Sequence, residues 1–420
     1  MKKYFFLSAA LLLGALTFTS CSNDDDNNSS TPSEEQYKDR TYSTQAIDGC
    51  ATLVTSLTNA NSIIAKANLT EAQEAYLRNV LSGVVSNVII PTYTQLANDV
   101  EDLEKTLNGL TVQNITQSQI DKACTDFKQA RLSWERSEAF LMGAASDFDI
   151  DPTIDSWPLN RSLLLSYFNT GMNDEMLEDA SILGFHALEF ILFRNGQNRK
   201  VAELQGKDTY TNFTAITGAQ ELKYAQEICT RLKQRCFQLQ VAWQGEVAAN
   251  ASRAAVVKAA GLDYTTEAGL SYGENLLAAG TNSKSTFPTL KAAIAQVLSN
   301  NEGSCVGIAS EVGTAKIANP FAAGDIAYVE SPYSYNSITD FQDNIRSIRN
   351  VWFGSTDGNA AAVCFAKFFE SVNTPTTVEQ SFNNAIAKIG AIPAPFVKYC
   401  SIVWGKNFDD PTNWNSTSGE

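Results

Sequence analysis

Along most of the chain the apolar residues return every three or four positions, the period of one helix face, and no stretch sustains the alternation of a half-buried strand. This spacing predicts helices over 46–67, 71–110 and 120–142, the last through Ala123, Phe127, Ala130 and Trp134. Asp, Pro and Trp interrupt it at 147–158. It resumes at 161–169 and over 174–194, where the helix becomes apolar on all sides. Residues 195–218 are polar, with Gly and Thr, and read as a connection. One long helix is expected over 221–260, then shorter ones near 289–299, 305–317, 337–353, 360–370, 377–389 and 396–404. The pattern predicts an all-α protein of two helical-bundle domains, 36–205 and 206–410, with a flexible tail at 411–420. Residues 127–143 and 341–354 each run from a Phe to an ending with an aromatic residue and a Gly, which suggests a diverged tandem duplication.

The first twenty residues follow a different rule. Lys2 and Lys3 precede an uncharged apolar run from Tyr4 to Phe18, too short for an ordinary spanning helix and placed as a removable signal segment. Thr19, Ser20 and Cys21 resemble a bacterial lipoprotein cleavage site, with Phe18 where Leu is commoner. Cys21 is then the acylated first residue of the mature chain, held to the cell envelope, by expectation the outer membrane, through its acyl chains. Residues 21–35 are rich in Ser, Asn and Asp and form a disordered tether. Its run Asp24, Asp25, Asp26 reads either as a surface-export signal or as a solvated spacer.

Removing a leader that carries two Lys and no acid takes the net charge from −15 to −17. So acidic a chain repels nucleic acid and anionic lipid surfaces, which leaves the acyl chains as the membrane attachment. Of the 8 Cys, Cys21 is assigned to lipidation; the rest form no CxxC pair and read mostly as buried small apolar residues.

The chain has a single histidine, His186, inside Ser181-Ile-Leu-Gly-Phe-His-Ala-Leu-Glu-Phe-Ile-Leu-Phe193. His186 and Glu189 are three apart and share a helix face. Gly184 omits a side chain one turn from Leu188, so a second helix or a ligand can approach. A carboxylate in so apolar a helix costs several kcal/mol unless a cation, a metal or good donors meet it. Two readings follow from the spacing: an internal His–Glu hydrogen bond, or one nitrogen and one oxygen offered to a metal ion.

On the 120–142 helix Arg131, Trp134, Glu135 and Glu138 recur on one face. Glu135 or Glu138 would add a carboxylate to a metal site, or Arg131 would neutralise Glu189, or the four make a half-exposed face with ordinary ion pairs, the reading the spacing alone favours. Asp155 is placed to cap the helix after it, with Trp157 as a core wedge. Asp147-x-Asp149-x-Asp151 fails as a calcium loop, because Pro152 and Pro158 stand where Gly and Glu are needed. HExxH, P-loop and GxSxG motifs are absent, and one His excludes a two-histidine zinc site within one chain.

Gly184-x-His186-x-x-Glu189 resembles the GxHxxE signature of the imelysin family. The segments Arg131-Leu-Ser-Trp134-Glu135-Arg-Ser137-Glu138, Asp155-Ser-Trp157-Pro158, Lys316-Ile-Ala-Asn-Pro320-Phe321, Glu330-Ser331-Pro332-Tyr-Ser334 and Asn344-Ile-Arg346-Ser-Ile-Arg-Asn350 are similar to others of that family, in the same order. The resemblance implies two helical bundles with a site near their interface and an envelope protein linked to iron uptake. On this basis His186 and Glu189 are expected as first ligands of a metal ion or metal-bearing ligand, with Glu135 or Glu138 completing the site. Gly184, Arg131, Trp134, Ser137, Asp155 and Trp157 are expected to line it. One nitrogen among several oxygens suits iron better than zinc. The competing expectations are a metallopeptidase, with a Glu as general base, and an interaction protein whose His–Glu pair is structural.

Overall fold

Ser or Thr followed three residues later by Gln or Glu starts helix after helix. Ser33 with Gln36, Thr70 with Gln73, Thr116 with Gln119, Thr217 with Gln220 and Ser271 with Glu274 each close a reciprocal capping box. The computed structural model describes residues 31–323 and 328–403. The signal segment, Cys21, most of the tether and the 411–420 tail lie outside these residues.

The described residues are all-α apart from a two-residue hairpin, Phe193–Arg194 against Gln197–Asn198. Helix Thr41–Lys66 packs on Val378–Gly390 and on the segment 305–318, and Ser337–Phe353 joins them. Helix Gly218–Gln244 packs on Ile90–Asn108 and on Gly184–Leu192, and Ile90–Asn108 in turn packs on Gln117–Glu135. The packing therefore crosses the boundary expected near residue 205. A first-half helix completes the group of late helices, and a second-half helix completes the group of early ones.

Three expected helices are shorter or broken where their periodicity suggested one continuous run. The 120–142 helix stops at Glu135, and Glu138 lies beyond it in a 3₁₀ turn, Glu138–Phe140. The 174–194 helix shrinks to Gly184–Leu192 behind two 3₁₀ turns, because Gly184 sits at φ +75° after an extended Leu183. The 221–260 helix is two, Gly218–Gln244 and Ala251–Ala259, parted by Gly245 at φ +75°. The seven described cysteines are free and buried.

Candidate metal centre

Gly184 sets the geometry. A Cβ there would lie 2.1 Å from the carbonyl oxygen of Ile154, so only glycine lets the 154–155 turn rest on the start of the Gly184–Leu192 helix. That contact brings Asp155 beside His186, with Nε2 3.2 Å from Asp155 Oδ1. Asp155 therefore does not cap the next helix; Asn160 does, accepting from the backbone of Leu163. The Asp155 carboxylate instead accepts from Trp134 Nε1 at 2.7 Å and from Arg131 Nη1.

Arg131 is the hub. It meets Glu135 one turn on at 2.5 Å, together with Asp155 and Glu330, and its Nε lies 3.8 Å from Asp340. It does not reach out to neutralise Glu189. That carboxylate is held by backbone and hydroxyl donors: Oε1 accepts from Tyr333 N at 3.1 Å, Ser334 N at 2.8 Å and Ser334 Oγ at 2.6 Å. Its Oε2 lies 3.4 Å from His186 Nδ1. Glu189 is thus fixed as an orienter of the imidazole. Lys316 enters on the π-helix Val312–Ala318, with Nζ 3.0 Å from Glu330 Oε1. Asn344 donates to Glu135, and Ser331 Oγ to Asp340 at 2.5 Å.

Two groups of side chains bring ligand atoms within 4.8 Å of one another: Asp155, His186 and Glu330, and Glu135, Glu138 and Asp155. Of the expected first ligands, His186 joins the first group, and Glu135 and Glu138 both fall in the second. Asp155, expected only to line the site, belongs to both. Ser137 is buried but bonds to its own turn, through Trp134 O at 2.7 Å. Trp157 is half-buried rather than a core wedge, with its ring 6.4 Å from His186 and the Lys316 ammonium 5.1 Å from its centroid. Glu330, Lys316 and Asp340 were not anticipated as site residues; Glu330 and Lys316 fall inside the segments that carried the family resemblance.

Charge here is strongly unbalanced. Glu135, Glu138, Asp155, Glu189, Glu330 and Asp340 face two permanent cations, Arg131 and Lys316, and none of these eight is more than 5 % exposed. Burial pushes the Glu135 and Glu138 carboxyls well above their ordinary range, and burial with the neighbouring Glu330 takes Asp340 to about 7 against the pull of Arg131. Burial also works against charge on Arg131 and Lys316, but the surrounding carboxylates outweigh it and hold both protonated. For Asp155 burial is outweighed by Arg131 and His186, and its carboxyl falls below the usual range. Burial and Arg131 oppose charge on His186; its bonds to Asp155 and Glu189 prevail and raise it to about 9.

Among the described residues Glu330 Oε2 is buried with no hydrogen-bond partner, while Glu135 Oε1 and His186 Nε2 have only their contacts to Arg131 and Asp155. First-row metal–donor bonds of about 2.0–2.2 Å put donors roughly 3–4 Å apart; His186 Nε2 and Asp155 Oδ1 stand 3.2 Å apart, and with Glu330 the three side chains bring ligand atoms within 4.8 Å of one another. The unbonded Glu330 oxygen and the excess of carboxylate fit a cation. A cleft of about 880 Å³ lies elsewhere, lined by Gly143, Asp147, Trp243 and Tyr272 among others and by none of the centre's side chains.

The model of the imelysin peptidase family matches residues 89–411. Iron-regulated protein A of Synechococcus elongatus is 25 % identical over 327 residues, 77 % of this chain and 78 % of that protein. A crystal structure of a Parabacteroides distasonis protein assigned as an iron-regulated protein A precursor superposes with a TM-score of 0.60 at 23 % identity, over 81 % of this chain and 96 % of that one.

Proposed function

The chain belongs to the imelysin family, and from that premise we propose that it binds a first-row metal ion, iron foremost, at the junction of its two helix groups. Asp155, His186 and Glu330 would hold the ion, with Glu135 and Glu138 beside them. The observation that carries this reading is the surplus of buried carboxylates over buried cations, together with the unbonded Glu330 Oε2. An interior with that surplus must take up either protons or a cation. One imidazole among carboxylate oxygens favours iron or manganese over structural zinc, and the name of the cyanobacterial relative points the same way. Because imidazole ligates only when neutral and His186 titrates near 9, loading at neutral pH would expel its proton.

We read the site as binding, not hydrolytic. Arg131 engages one oxygen each of Glu135 and Glu330, the carboxylates a general base would come from, and every ligand side chain is buried away from a peptide. The mature chain is therefore expected to cleave casein no faster than a His186→Ala, Glu189→Ala control. Metal analysis after exposure to Fe²⁺, Mn²⁺ or Zn²⁺ should find one ion per chain, lost in His186→Ala. No ion from any of these salts would overturn the metal reading, and chelator-sensitive cleavage absent from the control would restore the peptidase.

The same proposal includes the envelope: acyl chains on Cys21 hold the protein at the outer membrane. Cys21→Ala should release it or block its maturation, and tight membrane association of the processed variant would refute the anchor.

A further inference from the structure

We infer that Lys316 is a tethered counter-cation which the metal displaces, its ammonium passing from Glu330 inside the centre to Glu311 at the margin. This rests on the metal reading of the site and adds how loading is controlled. The two permanent cations of the centre are held very differently. Arg131 is a planar fork gripped by Asp155, Glu135 and Glu330, with Phe185 beneath it at 5.5 Å. Among the described residues Lys316 makes one hydrogen bond, to Glu330 Oε1, from a flexible four-carbon stem. Both cations share that one oxygen, while Glu330 Oε2 has no hydrogen-bond partner among the described residues. An incoming ion that engages Glu330 meets its repulsion first from the ammonium, and only the ammonium is free to leave.

It also has a place to go. Glu311 Oε1 lies 3.9 Å from Lys316 Nζ, on a side chain that is 40 % exposed, whereas Glu330 is fully buried. The backbone is built to offer both partners. In an α-helix residues five apart point roughly 140° away from each other. The chain leaves helix Cys305–Glu311 into the π-helix Val312–Ala318, whose wider i to i+5 turn returns Lys316 to the side of Glu311. The half-buried ring of Trp157 lies beside the ammonium at 5.1 Å, an aromatic surface along which a cation can move.

The test is titration of the mature chain with Mn²⁺, an air-stable probe, in wild type, Lys316→Met, Glu311→Gln and the double variant. Lys316→Met should bind about tenfold more tightly or better, since a like charge a few ångströms from the ion is removed. Glu311→Gln should weaken binding in wild type and have no effect where Lys316 is already Met. A lysine that merely braces the fold would instead weaken binding when replaced, and would leave the Glu311→Gln effect the same in both backgrounds; either result overturns the displacement. Amine acylation of wild type read by mass spectrometry needs no variant to fold: labelling at Lys316 should rise on adding Mn²⁺, and unchanged or lower labelling in chain that has bound the ion contradicts the inference. If wild type and Lys316→Met both bind neither Mn²⁺ nor Fe²⁺, the metal reading itself fails and this falls with it. Binding by wild type with the wrong sign in Lys316→Met sinks the displacement alone.

Discussion

Two clusters of buried charge stand out among the described residues, and they are built on opposite principles. Around Arg199 two arginines meet three carboxylates, whose oxygens all accept hydrogen bonds. Arg199 Nη1 and Nη2 lie 3.2 and 3.0 Å from the two oxygens of Glu221, and its Nε 3.0 Å from Glu203. Arg194 adds a 2.6 Å bond to Asp208 and covers the Phe190 ring at 4.1 Å. This cluster ties the 193–221 connection to the long helix behind it. Around Arg131 six carboxylates crowd two permanent cations, and Glu330 Oε2 is left unbonded. Equal burial therefore carries different meanings. A cluster whose oxygens are all bonded specifies structure, whereas one with a large surplus of carboxylate stores a demand for positive charge.

The difference should appear first in stability. Arg131→Met removes the partner of four buried carboxylates, so it should cost at least the ~3–5 kcal/mol of breaking a buried pair. Urea unfolding should show partial recovery of this variant at pH 5, where protons replace the lost cation; no recovery would mean that the surplus is not electrostatic. Glu221→Ala should also cost about 3–5 kcal/mol by stranding Arg199, but should leave metal stoichiometry untouched. Loss of metal in that variant would erase the distinction between the clusters. Gly184→Ala forces a Cβ against Ile154 O at positive φ and should cost about 2–4 kcal/mol; a thermal melt within a degree of wild type would show that the 154–155 turn is not held as described.

The pH dependence is a smaller effect with a definite sign. Burial, abetted by Asp155, raises the Asp151 carboxyl to about 7, matching Asp340, and His186 stands near 9. Groups whose folded values are raised hold extra protons in the folded chain. Their contribution is complete below the unfolded values and disappears as pH rises through the folded ones, from about 4 to 7 for the carboxyls and about 6.5 to 9 for His186. Asp155, lowered, acts in the opposite sense, and only below about pH 4. The metal-free chain should therefore lose at least about 1–2 kcal/mol between pH 5 and pH 8. Glu221, raised to about 7 by burial, contributes to the same slope, so saturating metal should flatten it only in part. Denaturant midpoints that rise with pH over this window would contradict the assignment.

The helices and the centre were legible in the sequence to different depths. Periodicity located the long helices but not short ones such as Val201–Gln205 and Tyr272–Leu277. His186 and Glu189 stood out because polar groups in apolar company are costly, Gly184 as a missing side chain, Arg131 by its helix-face spacing and Asp155 by the family resemblance. What periodicity reports is one helix face at a time. It could not bring Glu330 to Arg131, 199 positions away, nor show that Glu189 would be satisfied by the backbone of Tyr333 and Ser334. The break after Glu135 carries no Gly or Pro, so Glu138 was read as one more position on the same helix. Gly245, by contrast, was a visible stop signal inside the 221–260 run. Lys316 and Glu330 were present in segments that resembled the family, but only folding reveals that their charges are buried.

The decisive measurement is a calorimetric titration of Mn²⁺ into the mature chain at pH 7, run in parallel on Glu330→Gln and Glu221→Gln. One ion should bind per wild-type chain with release of protons to the buffer. Glu330→Gln should lose about 10–100-fold or more in affinity, the size expected of a ligand or its close support, while Glu221→Gln should bind as wild type does. Equal losses in the two variants, or no binding by wild type, would contradict the claim that the unbalanced cluster is a cation site.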